Sequence, residues 1–323
     1  MRKSFTLTVL LILTLFACKE DFDVFIPDDT PLPDPQPLSG DITRFFESVS
    51  PEVHSYVIDA DQGALFRTPR NTWFTVPQRA FLDEFNSEVA GEVKVEIIEI
   101  LNKAEMILHN VPTESDGKLI RSSGAYHIRV TRNDQTLGLK EGVEIEIQIP
   151  IEGQWSEKME LFYGERHPDG QFNWVEADND PNSQNNVWLG EMYDSLTQEW
   201  GLSYQLYSSQ LNWINCDEFM EAGELVKLDV ALPETYSDTN TVAFIVFDQL
   251  NAVMAMQWNA NEKVFTENYV PINETVTLLI IAERGDNDFY FSSLNTTVTA
   301  DKVIEMSPEE IPLGDIVEFI SGL

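Results

Sequence analysis

Two cysteines and four histidines in 323 residues leave little for thiol or metal chemistry. His54, His109, His127 and His167 lie far apart, with no pair at helical or ligand-loop spacing, so local sequence offers no zinc site. The chain also lacks a Gly-x-Ser-x-Gly elbow and any glycine-rich phosphate loop, the marks of a serine hydrolase and of a nucleotide-binding protein. Basic residues are few: 20 Lys and Arg stand against 55 Asp and Glu, a net charge of −35. Nucleic acid and anionic lipid headgroups reward positive charge, so both are disfavoured as partners. Beyond the first 16 residues no stretch approaches the roughly 20 apolar residues that span a bilayer. The acidity itself reads as solubility. Paired carboxylates for glycoside hydrolysis stay open as an alternative, because any two of 55 acids can meet in space.

What is present begins with an address. Arg2 and Lys3 precede an apolar run from Phe5 to Phe16, the shape of a signal peptide and too short to cross a membrane as a helix. It stops at Leu15-Phe16-Ala17-Cys18, which resembles a bacterial lipobox. The resemblance implies that residues 1–18 form a lipoprotein signal and that Cys18 carries lipid and becomes the first mature residue. Cleavage there would remove Arg2 and Lys3 and take the net charge from −35 to −37. An acylated Cys18 leaves Cys216 without a disulfide partner, as a small buried apolar residue. Lys19-Glu20-Asp21 resembles the export tract of Bacteroidetes lipoproteins, which implies the outer membrane, facing the cell surface, with the periplasmic face as the alternative. Residues 19–40 carry Pro27, Pro31, Pro33, Pro35 and Pro37 among acids and read as an extended tether.

From there on, 43% hydrophobic and 11% aromatic residues suffice for real cores. Period-two alternation dominates: Val93, Val95 and Ile97; Val143, Ile145, Ile147 and Ile149; Val226, Leu228, Val230 and Leu232. The short continuous runs Val242–Phe247 and Val276–Ala282 fit central strands. Ser115-Asp116-Gly117, Asn133-Asp134, Pro168-Asp169-Gly170 and Gly285-Asp286-Asn287-Asp288 mark turns. This pattern predicts an all-β fold of two β-sandwich domains, 41–153 and 218–323, joined by an aromatic-rich middle segment, 154–217. A C-terminal helix is expected over Glu309–Gly322, capped by Ser307, with Pro312 and Gly314 against it; Leu189–Trp200 is ambiguous.

Thr72-Trp73-Phe74-Thr75-Val76-Pro77, Ala80-Phe81 and Val89-Ala90-Gly91-Glu92-Val93, followed by Ser122-Ser123-Gly124-Ala125-Tyr126 and Val143–Pro150, resemble the first module of a group of Bacteroidetes surface lipoproteins. That module is in turn similar to the ZU-five β-sandwich of ankyrins and netrin receptors. The group's middle and last segments resemble Met159–Gly164, Asp169–Trp174 and Leu211–Asp217 with the sandwich that follows. The resemblance implies a modular, non-enzymatic surface protein and transfers no catalytic residue.

Candidate contact residues come from the middle segment, where Trp155, Tyr163, Trp174, Trp188 and Trp213 stand out among other aromatics, including Tyr193 and Trp200. Exposed, such rings would grip a protein or glycan partner; buried, they would fill the seam between the sandwiches. Asp178, Asp180 and Asn182 begin like a calcium loop, but Ser183 and Leu189 stand where glycine and an acid are wanted, so no metal or cofactor is expected. Arg284-Gly285-Asp286 reads as turn chemistry, and Asp194-Ser195-Leu196 resembles an O-glycosylation acceptor. The expectation is a lipid-anchored binding or structural module without enzymatic activity.

Overall fold

Alternation in the sequence becomes strand in space: strands make up 54% of the described residues and helices 8%, so the fold is all-β. The structure, a computed structural model, describes residues 42–151, 155–167, 171–177, 187–194, 198–221, 223–285, 287–300 and 302–323. Cys18, the proline tract, the turn at 168–170, the Asp178–Asn182 stretch, Ser195-Leu196 and Asp286 lie outside the described residues.

The first fifteen strands are β1 (His54–Asp59), β2 (Ala64–Arg67), β3 (Trp73–Val76), β4 (Phe81–Leu82), β5 (Glu92–Ile100), β6 (Glu114–Ser115), β7 (Lys118–Arg132), β8 (Gln135–Thr136), β9 (Gly138–Leu139), β10 (Ile145–Pro150), β11 (Glu160–Arg166), β12 (Phe172–Glu176), β13 (Val187–Asp194), β14 (Glu199–Ser208) and β15 (Asn212–Phe219). They build a sandwich. One sheet runs β1-β5-β7-β15-β11-β12, and the other runs β13-β14-β10-β3-β2. Between them lies a core to which β5 gives Val93, Val95 and Ile97, β10 gives Ile145, Ile147 and Ile149, and β14 gives Tyr204 and Leu206. These are the inward members of each alternation, each contributing about 1.5–3 kcal/mol when fully buried. The segment 154–217, which the sequence sets between the sandwiches, thus supplies strands to both sheets of the first.

The remaining strands are β16 (Leu225–Ala231), β17 (Thr241–Phe247), β18 (Val253–Ala255), β19 (Gln257–Asn259), β20 (Val264–Pro271), β21 (Thr275–Glu283), β22 (Phe289–Thr297), β23 (Lys302–Glu305) and β24 (Glu309–Glu310). Sheets β19-β20-β16-β23 and β18-β17-β21-β22-β24 face each other across a second core. The two continuous apolar runs are β17 and β21, which lie side by side inside their sheet and are buried on both faces.

Two of the turn signals close hairpins as read. Asp116 and Gly117 (φ 49° and 74°) close β6 onto β7, and Asn133 and Asp134 (φ 51° and 63°) close β7 onto β8, each in the left-handed region that two-residue hairpins demand. The C-terminal helix is shorter than expected. Glu309 and Glu310 pair with Phe291 and Tyr290 as β24, and the helix α3 (Leu313–Ser321) starts after Pro312, whose fixed φ suits a helix entry. Two short helices, α1 (Thr43–Ser48) and α2 (Lys103–Leu108), complete the chain; Asn102 caps α2 by accepting from the Glu105 N–H, and Glu105 accepts from the Leu101 N–H.

The sandwiches are joined through β7. Its first residues send Leu119 into the second core, while Tyr126, Ile128 and Val130 lie in the first. Asn251 fastens the joint, donating to the carbonyls of Leu101 (3.1 Å) and Ser122 (3.0 Å), while the Thr113 N–H donates to the Val253 carbonyl (2.7 Å) and the Thr113 hydroxyl accepts from the Val253 N–H (2.8 Å).

Candidate functional site

The middle segment divides its aromatics between interior and solvent. Trp174 is fully buried and donates its indole N–H to the Pro112 carbonyl at 2.9 Å. Phe172 and Trp213 stand edge-on to it, with centroids 4.9 and 6.4 Å away, and Trp213 lies against His127 at 4.8 Å. Gly164 opposes Trp174 across β11 and β12, and a Cβ there would meet Phe172 and Trp213 atoms at 2.5 and 2.6 Å. Aromatic side chains occupy the space a side chain would take, so this cluster is interior filling. Tyr163 packs on the first core, and its hydroxyl accepts from Ser208 at 3.2 Å. Of the five candidate contacts, Trp174 is therefore interior, Tyr163 and Trp213 are half-buried, and Trp155 and Trp188 are exposed.

Solvent-facing rings gather on the β13–β14 hairpin. β10 pairs with Ser203–Ser208 of β14, and among the described residues only the Ile151 N–H reaches farther, to the Leu202 carbonyl. Residues 191–194 and 199–202 therefore run past the sheet as a two-stranded ribbon. Register places Tyr193 opposite Trp200, with ring centroids 5.4 Å apart, and Glu191 opposite Leu202. These residues continue the inward rows of Tyr204 and Leu206, but among the described residues they are left largely in solvent. Trp200 is 69% exposed, Tyr193 45% and Leu202 38%. Tyr193 and Trp200 stand outside the five candidates; as cross-strand partners they become legible only once Leu189–Trp200 is taken as strand.

Elsewhere titratable groups serve the structure. Glu99, buried, accepts from Thr72 (2.7 Å) and Thr68 (3.1 Å), and His54 Nε2 lies 3.5 Å from its other oxygen; burial raises its pKa. Asp217, in the joint, accepts from the Asn215 amide at 2.6 Å, and burial pushes its carboxyl up to about 8. Burial also raises Glu114 and Glu267, with Glu267 adding to the effect on Glu114. Cys216 lies in the first core with its thiol pushed well up by burial, which keeps the thiolate from forming. Among the described residues no three His, Cys, Asp or Glu side chains converge as a metal site. A cleft of about 260 Å³ at one end of the first sandwich, lined by residues including Ile128, Thr136, Leu139, Gln210 and Asn212, contains neither a carboxylate nor a histidine. Among the described residues no helix is long and apolar enough to cross a membrane.

No protein-family model matches the chain, and no curated protein matches it. A solved structure of the Bacillus anthracis TIE protein overlaps 80% of this chain and 41% of its own at 8% identity, with a TM-score of 0.18, a likeness that carries no argument about fold or function.

Proposed function

We propose that the chain is a lipid-anchored protein of the outer membrane, displayed at the cell surface, that acts as a non-enzymatic binding module. The lipobox ending at Cys18 and the Lys19-Glu20-Asp21 tract support the address, and the Pro27–Pro37 tether supplies reach. One observation supports binding above the rest: the Tyr193 and Trp200 rings sit together in solvent on a ribbon that the sandwich does not need for its own core. Aromatic residues concentrate binding energy when a partner covers them.

Hydroxyl-radical footprinting of the chain on intact cells and of the purified chain tests this reading. Trp200 and Tyr193 should be oxidised less on cells, while Phe85, 77% exposed on a different loop, should be oxidised equally in both. Equal oxidation of all three would remove the ribbon as a contact surface.

A further inference from the structure

We propose that the outer face of the sheet β13-β14-β10-β3-β2 is a platform for a neutral, linear glycan; this rests on the reading of the chain as a binding module and names its ligand class. Register carries the inference. Arg67 pairs with Trp73, Trp73 with Gln148, Gln148 with Gln205 and Gln205 with Trp188, so these five side chains form one row straight across the sheet. Their neighbours along the strands, Phe66, Phe74, Ile147, Ile149, Tyr204 and Leu206, pack into or against the core, which directs the row outward.

The row has tryptophan near each end and amides between. Three strand steps of about 4.8 Å set Trp73 and Trp188 about 14 Å apart, the reach of a short oligosaccharide laid across the strands. Sugar rings present C–H faces that lie on electron-rich aromatic faces, and hydroxyls that both donate and accept; a glutamine amide does both in return. The parts are held in place. Arg67 stacks 5.6 Å from the Trp73 ring centre. Gln148 donates to Glu146 at 3.0 Å. Gly190 leaves the space in which the Gln205 amide lies, since a Cβ there would come within 2.7 Å of it. The face is open at both sides, with Leu65 65% and Trp188 57% exposed. Ser203, the preceding outward residue of β14, is buried, and its hydroxyl finds no hydrogen-bond partner among the described residues.

Charge and layout choose the ligand. A chain of net charge −35 repels polyanions, which excludes acidic polysaccharides. A protein partner would want desolvated apolar anchors at the centre of the patch, whereas here the centre is two amides and the rings stand toward the ends.

Native affinity electrophoresis of the full chain in detergent, in gels containing barley β-glucan, xyloglucan, galactomannan, arabinoxylan or amylose, with polygalacturonate as the acidic comparison, tests the proposal. At least one neutral polysaccharide should retard the chain, and Trp188→Ala, Gln205→Ala and Trp73→Ala should each weaken that retardation about tenfold. Trp188 and Gln205 fill no core, so loss in those two variants is separable from misfolding, and Phe85→Ala, at an exposed ring away from this sheet face, should bind as the native chain does. The proposal is overturned by no retardation in any neutral gel, by retardation that survives Trp188→Ala and Gln205→Ala, or by preference for polygalacturonate. The footprint of Trp200 on cells judges the binding reading separately from all three.

Discussion

At the scale of single residues, the same side chain carries opposite weights. Trp174→Ala removes a fully buried indole and the hydrogen bond to Pro112, and should lower unfolding free energy by about 3–5 kcal/mol in denaturant titration. Trp200→Ala, on a ring 69% exposed, should stay within about 0.5 kcal/mol of the native chain. Nothing in the sequence separates these two tryptophans, since both sit in aromatic strands; what separates them is whether a second layer covers the strand. Buried titratable groups add a pH prediction. Asp217 ordinarily titrates near 3.9, and burial raises it to about 8 in the fold. Its contribution is thus complete below about pH 4 and is lost as pH rises through about 8. Burial holds His109 and His127 down to about 4, from about 6.5, so their contribution is complete above about pH 6.5 and is lost as pH falls through about 4. Urea midpoints should fall on both sides of a mid-range maximum, and Asp217→Asn should flatten the decline on the alkaline side. An equal alkaline slope in the variant would show that Asp217 takes no part.

At the scale of elements, glycines report which faces are in use. Gly164→Ala drives a methyl into Phe172 and Trp213 and should cost about 1–3 kcal/mol, while Gly201→Ala on the ribbon, with nothing within 4 Å, should be tolerated. Denaturant midpoints of the two variants check this directly. Strands were the legible part of the sequence because alternation is local. Val93–Ile97, Ile145–Ile149 and Val226–Val230 alternate by themselves, and each is a strand with those residues inward. The Asp116-Gly117 and Asn133-Asp134 hairpins were legible for the same reason. Leu189–Trp200 was not, because Gly190 and the apolar Trp188 and Met192 on either side of it break the alternation, and the short α2 was not read although Asn102 and Glu105 spell its cap.

At the scale of the molecule, pairing was beyond the sequence. β15 inserts between β7 and β11, and β10 between β14 and β3; such partners are distant in the chain, and neither alternation nor turn residues name them. The row Trp73, Gln148, Gln205 and Trp188 is invisible for that reason, although each member lies on a strand or in a stretch the sequence singles out. The joint between sandwiches is likewise non-local. Asn251→Ala leaves the Leu101 and Ser122 carbonyls without their donor, and should cost about 1–3 kcal/mol. Calorimetry should then show the unfolding endotherm broadened or split as the sandwiches lose their coupling. The proposed function requires that the chain face outward. Protease shaving of intact cells, with immunodetection of the chain, tests that claim most directly: the account predicts digestion while the outer membrane is whole. Survival until the envelope is breached would contradict it and place the chain on the periplasmic face.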